Sequence, residues 1–286
     1  MKYPGLYGSA DGASNTSQRT FLNLVRAEYA FLIVASFLSL DLWQNRSYYL
    51  VYAGVFLCSM GVLVYRSITK PEQDWYQARA LAESVKTLTW RFAMRAEPFD
   101  DAVAADARTD FRNQLAAILR SNRHIGHAMV SPDSAAPQTT EDMVRIRELP
   151  LEERKSLYLD KRIADQRKWY EKKSADNKAS AKKWMMVGIG AYSLGFLFIL
   201  FRIIDPAMPG WPTEPLIVVA STLIGWTQIK KFNELASAYA LTAHEIGLTE
   251  GLITDADTEL KFSAAVNEAE LAFSREHTQW VARQNS

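Results

Sequence analysis

A chain of 286 residues with a single cysteine, Cys58, cannot build an internal disulfide framework. Cys58 lies among apolar residues and reads as a small packing side chain rather than a reactive thiol. Excess charge of one sign is also missing. Lys and Arg number 33 against 32 acids, a net charge of +1, so the basic bias of a nucleic-acid binder is absent and no direct nucleic-acid binding is expected. No P-loop, Gly-rich dinucleotide turn or nucleophile elbow occurs. Histidines are few: His124 and His127 form an H-x-x-H, but no glutamate follows the first and no third ligand is in view, which argues against zinc. His244 and His277 each stand beside a glutamate on helical segments and read as structural. No catalytic residue, metal site or cofactor is expected, and the chain is not read as an enzyme. A secretory leader pattern is lacking too, because residues 8–18 are polar and loop-like.

What the chain does have is four apolar stretches in two pairs, at about 24–42 and 48–65 and at about 184–204 and 212–229. Mean hydropathy is only −0.15, so the apolar residues are concentrated there and the remainder belongs in water. A spanning helix needs roughly 17–25 mostly apolar residues. The second and third stretches meet that, while the first contains Arg26 and Glu28, and the core of the fourth, 215–229, is short unless 210–214 joins it. Arg19, Arg26, Arg66 and Lys70 flank the first pair, and Lys172, Lys173, Lys178, Lys182, Lys183, Lys230 and Lys231 flank the second. The turns between paired stretches carry only Arg46 and Arg202. Cations near spans favour the cytoplasmic side, so both termini and residues 66–183 are expected in the cytoplasm, with both turns outside.

The fold class expected is therefore an all-α membrane protein: two transmembrane helical hairpins, four spans, with long cytoplasmic helices forming a bundle. The expected division is a flexible N-terminus at 1–18, a first unit at 19–130 with cytoplasmic helices over 71–130, a linker at 131–150 and a second unit at 151–286. Prolines and small polar residues mark 131–140 as the linker. The second unit carries cytoplasmic helices at 151–183 and 230–283. From 151 to 201 there is no proline, so one helix of roughly 75 Å at 1.5 Å per residue can run from the cytoplasm through the membrane. Both halves share the order helix, span, turn, span, helix, and both hairpins enter in one orientation, so the repeat is parallel rather than inverted.

Two groups of residues stand out. Trp75, Arg79, Glu83, Lys86 and Trp90 recur at helical steps, with Arg79 and Glu83 at i,i+4 and Glu83 and Lys86 at i,i+3. A solvated face rarely carries two tryptophans, so this stripe reads as a helix interface with a paired polar network. Glu270, Glu276 and Trp280 lie on the last helix, whose apolar residues follow a near-heptad spacing suited to a helix partner. At the span edges stand Arg26, Glu28, Asp41, Arg202 and Asp205, where ionisable groups are costly. One reading places them at headgroup level, snorkelling or binding lipid phosphate; the other makes them a charged ring at a pore mouth. Small faces at Gly54, Cys58 and Gly61, at Gly188, Ala191 and Gly195, and at Ser221 and Gly225 suit close helix packing.

Asp74-Trp75-Tyr76-x-x-Arg79-x-x-Ala82-Glu83-x-x-Lys86-x-x-x-Trp90 and Glu97-Pro98-Phe99 follow the first hairpin. Arg162-Ile163, Trp169-Tyr170-x-Lys172-Lys173 and Asn177 precede the second, and Thr242-Ala243-His244-Glu245, Asn267-x-Ala269-Glu270 and Phe273-Ser274-Arg275-Glu276-His277-x-x-Trp280 come after it. In these residues the chain resembles the SLATT family, bacterial membrane domains with two spans followed by cytoplasmic helices, present here as a tandem. The resemblance implies an effector of conflict or antiphage systems in the bacterial inner membrane, one that opens pores or disrupts the bilayer when a partner sensor signals infection. The partner it implies is a sensor or nucleotide-signalling protein from the same operon, and a homo-oligomer is expected because four spans from one subunit leave little room for a water-filled path. The stripe from Trp75 to Trp90, with Glu270, Glu276 and Trp280, would then couple signal to gate. Two alternatives keep the hairpins but not the pore: a membrane-anchored scaffold or receptor that recruits a cytoplasmic partner, and a housekeeping ion channel or transporter.

Overall fold

The computed structural model describes residues 1–100, 104–129, 136–207 and 210–284, with side chains up to Phe273 in the last helix. The described residues form ten α-helices and no strand: α1 Gly5–Leu38, α2 Arg46–Thr69, α3 Pro71–Met94, α4 Ala104–Ser121, α5 Glu141–Arg147, α6 Leu151–Tyr158, α7 Asp165–Ile204, α8 Thr213–Lys230, α9 Phe232–Thr254 and α10 Glu259–Gln284. A π-helical turn, Leu159–Ala164, joins α6 to α7 without a break. The expected uninterrupted helix from 151 is thus present, with a register shift inside it. The chain divides into two compact units. A core unit comprises Met1–Thr20, Pro71–Trp169 and Thr242–Ser286, and a hairpin unit comprises Phe21–Lys70 and Tyr170–Leu241.

In the core unit α3 is the central helix, packing against α10, α5 and α4. Leu81, Ala82, Val85, Leu88 and Phe92 lie on one helical face of α3 and are buried. They join Phe99, Phe111, Leu115, Ile125 and Met143, and the rings of Phe92, Phe99 and Phe111 meet at 4.9–5.9 Å.

The expectation of a loop over 8–18 in a flexible N-terminus does not hold, because α1 already begins at Gly5. Gly8, Ser9, Ala10, Gly12, Ala13 and Ser14 have the composition of a loop. Yet Leu6, Ser9, Ala10, Ala13 and Ser14 form a buried face, and small side chains there let the helix approach the core closely. That packing outweighs the helix propensity lost at each glycine, about 1 kcal/mol. The unpaired first-turn donors of α1 also find acceptors: Gly5 N–H donates to the Pro137 carbonyl and Leu6 N–H to Gln138 Oε1. The expected linker over 131–140 falls partly outside the described residues, at 131–135; its described end supplies these acceptors.

The hairpin unit contains two antiparallel pairs. Asn45 caps α2, its Oδ1 accepting from Tyr48 N–H at 2.8 Å, and the Tyr48 hydroxyl donates to the Leu38 carbonyl at 2.6 Å. In the second pair Arg202 meets Glu214 at 3.1 Å and Trp211 Nε1–H donates to the Asp205 carbonyl at 3.1 Å. The two pairs leave by the same device. Lys70 and Lys231 both take left-handed backbone angles, φ 44° and 46°, and their N–H groups donate to the Arg66 and Thr227 carbonyls at 2.9 Å. The next helix then begins at once, at Pro71 or Phe232. The segment after 230 is accordingly a new helix rather than a continuation of α8.

Among the described residues three helical stretches are long and apolar enough to cross a membrane: Gly5–Leu38, Arg46–Met94 and Leu151–Ile204. None of the most apolar window of the third is buried. Phe56, Leu57, Phe196 and Ile204 stand 60% exposed or more, which demands lipid or another protein surface. α8 has 18 residues and carries Glu214 and Lys230 at its ends, so it falls short of that standard by itself.

Candidate functional site

The stripe on α3 lies in the core unit, and its charged members are compensated. Glu83 is only 4% exposed. It pairs with Arg79 at 2.7 Å and lies 3.6 Å from the Lys86 ammonium, and Arg79 also reaches Asp11 of α1 at 3.5 Å. Trp75 stacks on Tyr76 at 4.6 Å. Trp90 is buried, donates Nε1–H to the Tyr3 hydroxyl at 2.9 Å and sets an edge against Tyr158 at 5.6 Å.

Glu270, from α10, is fully buried and lies in the same region. It accepts Arg162 in a fork, Nε to Oε1 at 2.8 Å and Nη2 to Oε2 at 2.6 Å. The Tyr158 hydroxyl donates to the same Oε1 at 2.8 Å. A bidentate guanidinium–carboxylate pair combines charge with fixed geometry, and Arg162 also lies over the Phe273 ring at 4.6 Å. Arg91 pairs with Asn267, whose Nδ2 donates to Glu97 Oε2 at 3.2 Å. Of the other expected residues on α10, the side chains of Glu276 and Trp280 lie outside the described residues.

The electrostatics follow from burial. Burial pushes the Lys86 ammonium below its ordinary range against the pull of Glu83. It pushes Tyr158 well up, and the Glu270 carboxylate adds to that. Burial also acts to strip the charge from Arg162, but the carboxylate of Glu270 outweighs it and holds the guanidinium protonated. The group is built of ion pairs and hydrogen bonds. It is a charge network joining α1, α3, the π turn and α10, and it is suited to holding helices in register.

Two sets of side chains that close the core unit were not proposed from sequence as a site, although Arg162 stands in one of the family motifs. Arg154, Tyr158 and Arg162 stand at i, i+4 and i+8 in a polar helix, and that spacing is the signal that could have found them. The π turn adds a residue to the helical repeat and lets both Arg162 and Ile163 be buried. The second set neutralises the C-terminus of α3, whose last carbonyls lack helical partners and carry the negative end of the dipole. Arg147 donates to the carbonyls of Phe92 and Phe99 at 2.8 and 2.7 Å. Arg154 donates to Met94 at 2.7 Å and pairs with Glu259.

The five span-edge residues are engaged within the hairpin unit. Arg26 lies over the Trp226 ring at 5.4 Å, and Glu28 meets Arg66 at 3.1 Å. Asp41 accepts the Tyr49 hydroxyl at 2.7 Å, Arg202 pairs with Glu214, and Asp205 gives its carbonyl to Trp211. The small faces divide. Gly195 packs beside Leu216, and Gly225 lies so close to the Tyr29 hydroxyl that a Cβ there would stand 2.4 Å from it, whereas nothing lies within 4 Å of a Cβ built on Gly54, Gly61 or Gly188.

No group of three or more potential metal ligands occurs among the described residues. The H-x-x-H does not converge on an ion position: His127 Nε2 lies 3.2 Å from Asp74, and its Nδ1 faces the His124 carbonyl.

Residues 4–155 match the family model described as SMODS and SLOG-associating 2TM effector domain 3, and residues 158–280 match that of SMODS and SLOG-associating 2TM effector domain 1. No curated protein and no solved structure matches.

Proposed function

The chain belongs to the SLATT family, as a tandem of two-transmembrane effector domains, and from that premise we propose that it is a membrane effector that assembles with copies of itself and perturbs the bilayer of a bacterial inner membrane when a partner sensor signals. All four hairpin helices then cross the membrane, α8 completing the second pair, with the termini in the cytoplasm. The observation that carries this reading is the unburied apolar surface of α2 and α7. α2 buries only Tyr48, and its open glycines, Gly54 and Gly61, leave a face on which another helix can approach closely. Four spans from one subunit leave little room for a water-filled path, so a ring of subunits would supply it. The compensated network of the core unit favours a holding role for the cytoplasmic helices, since a two-state element needs a defined resting arrangement.

Induced expression in bacteria carrying a potential-sensitive dye tests this, with the neighbouring genes present and phage as the trigger. The expected result is loss of membrane potential and arrest of growth on triggering. Normal potential and growth, with the protein present in the membrane fraction, would overturn the proposal.

A further inference from the structure

The inner end of the hairpin unit gathers Arg26 and Lys230 around one indole. Arg26 of α1 and Lys230 of α8 both sit over the Trp226 ring, at 5.4 and 5.9 Å. Arg26 and Lys173 stand close enough to Lys230 to repel its charge. The nearest acid in sequence, Glu28, is taken by Arg66, and among the described residues neither Arg26 nor Lys230 pairs with a carboxylate. Arg26 donates to Asn23 Oδ1, a neutral acceptor, at 3.0 Å. The Trp226 indole N–H is buried with no acceptor, and Trp184 sets its ring 6.2 Å from that of Trp226. Paired tryptophans are the mark of the membrane–water interface, and basic pockets between helices on the cytoplasmic side suit anionic headgroups. A phosphodiester supplies negative charge for the cations, two non-bridging oxygens for the guanidinium fork and an acceptor for the indole.

We infer that α1 at Arg26, α7 at Lys173 and Trp184, and the C-terminal end of α8 bind the phosphate of an anionic phospholipid, with Arg26 and Lys230 as its principal ligands, Lys173 beside them, and Trp184 and Trp226 fixing its depth at the headgroup layer. The lipid bridges the first hairpin to the second. This rests on the reading that these helices lie in the bilayer.

The test is lipid retention by the full chain in nanodiscs of phosphatidylcholine with and without phosphatidylglycerol, read by mass spectrometry after a detergent wash. Wild type is expected to retain phosphatidylglycerol selectively. Arg26→Gln with Lys230→Gln should weaken that retention on the order of 30-fold, from roughly fivefold per interfacial charge. Lys172→Gln with Lys178→Gln removes two exposed charges of the same stretch and should leave retention unchanged. Arg26→Lys keeps the charge and should preserve selectivity, which guards against a loss caused by misfolding of the double variant. Equal retention by the Arg26/Lys230 variant, equal loss in the Lys172/Lys178 control, or displacement of the lipid by inorganic phosphate would each overturn the inference, the last by making this a soluble-anion site. Failure to enter nanodiscs at all counts against the membrane reading, whereas entry without lipid preference counts against the lipid site alone.

Discussion

Glu270→Ala is expected to destabilise the core unit by about 3–5 kcal/mol, because it leaves a buried guanidinium without its carboxylate. Arg162 and Glu270 are 1% and 0% exposed, and the forked pair is the reason the charge of Arg162 is tolerated there. Tyr158 loses its acceptor in the same change, and Arg162 Nη1 has no hydrogen-bond partner even with the pair in place. The double variant Arg162→Met with Glu270→Leu removes both charges and should recover most of the loss, since buried ion pairs often replace well with apolar residues of similar volume. Urea unfolding of the detergent-solubilised protein, followed by circular dichroism, measures both. A single variant no less stable than wild type would show that the pair is not closed in the folded chain.

Trp90→Ala is the second large effect, about 3–5 kcal/mol for deleting a buried aromatic side chain and leaving its cavity. Trp90 is 2% exposed, touches Tyr158 by an edge, and its indole N–H is the donor to Tyr3. Trp90→Phe keeps the aromatic body and loses that donor, so it should cost less. In the background of Tyr3→Phe the cost of Trp90→Phe should shrink, because the acceptor is already gone, and the difference between the two costs isolates the coupling between Trp90 and the N-terminal segment. Additive costs would mean that Tyr3 and Trp90 do not interact in solution.

Periodicity made the hairpins and the stripe from Trp75 to Trp90 legible, because hydropathy and helical spacing are local signals. Arg79, Glu83 and Lys86 could be paired from their spacing alone. Their wider setting could not: Arg162 lies 108 residues from Glu270, and an arginine in a polar helix gives no sign that it will be buried. The N-terminal helix was hidden for a different reason. Gly8, Ser9, Ala10 and Gly12 look like a loop until a core is present for them to pack against. The left-handed exits at Lys70 and Lys231 carry no glycine to announce them, yet they repeat the same geometry after each hairpin and add a backbone likeness to the tandem. At the span edges, composition left Arg26 open between lipid headgroup and pore mouth, and its place over Trp226 favours the headgroup.

The claim on which the account depends is that each hairpin crosses the bilayer as a complete pair, α8 included. Labelling by a membrane-impermeant maleimide in intact cells tests it most directly, with Cys58→Ser as the background and single cysteines at Gln44→Cys, Ala207→Cys, Lys70→Cys and Lys231→Cys. The account predicts labelling of the first two from outside and of the last two only after the membrane is opened. External labelling at Lys231→Cys, or protection at Ala207→Cys until lysis, would contradict it.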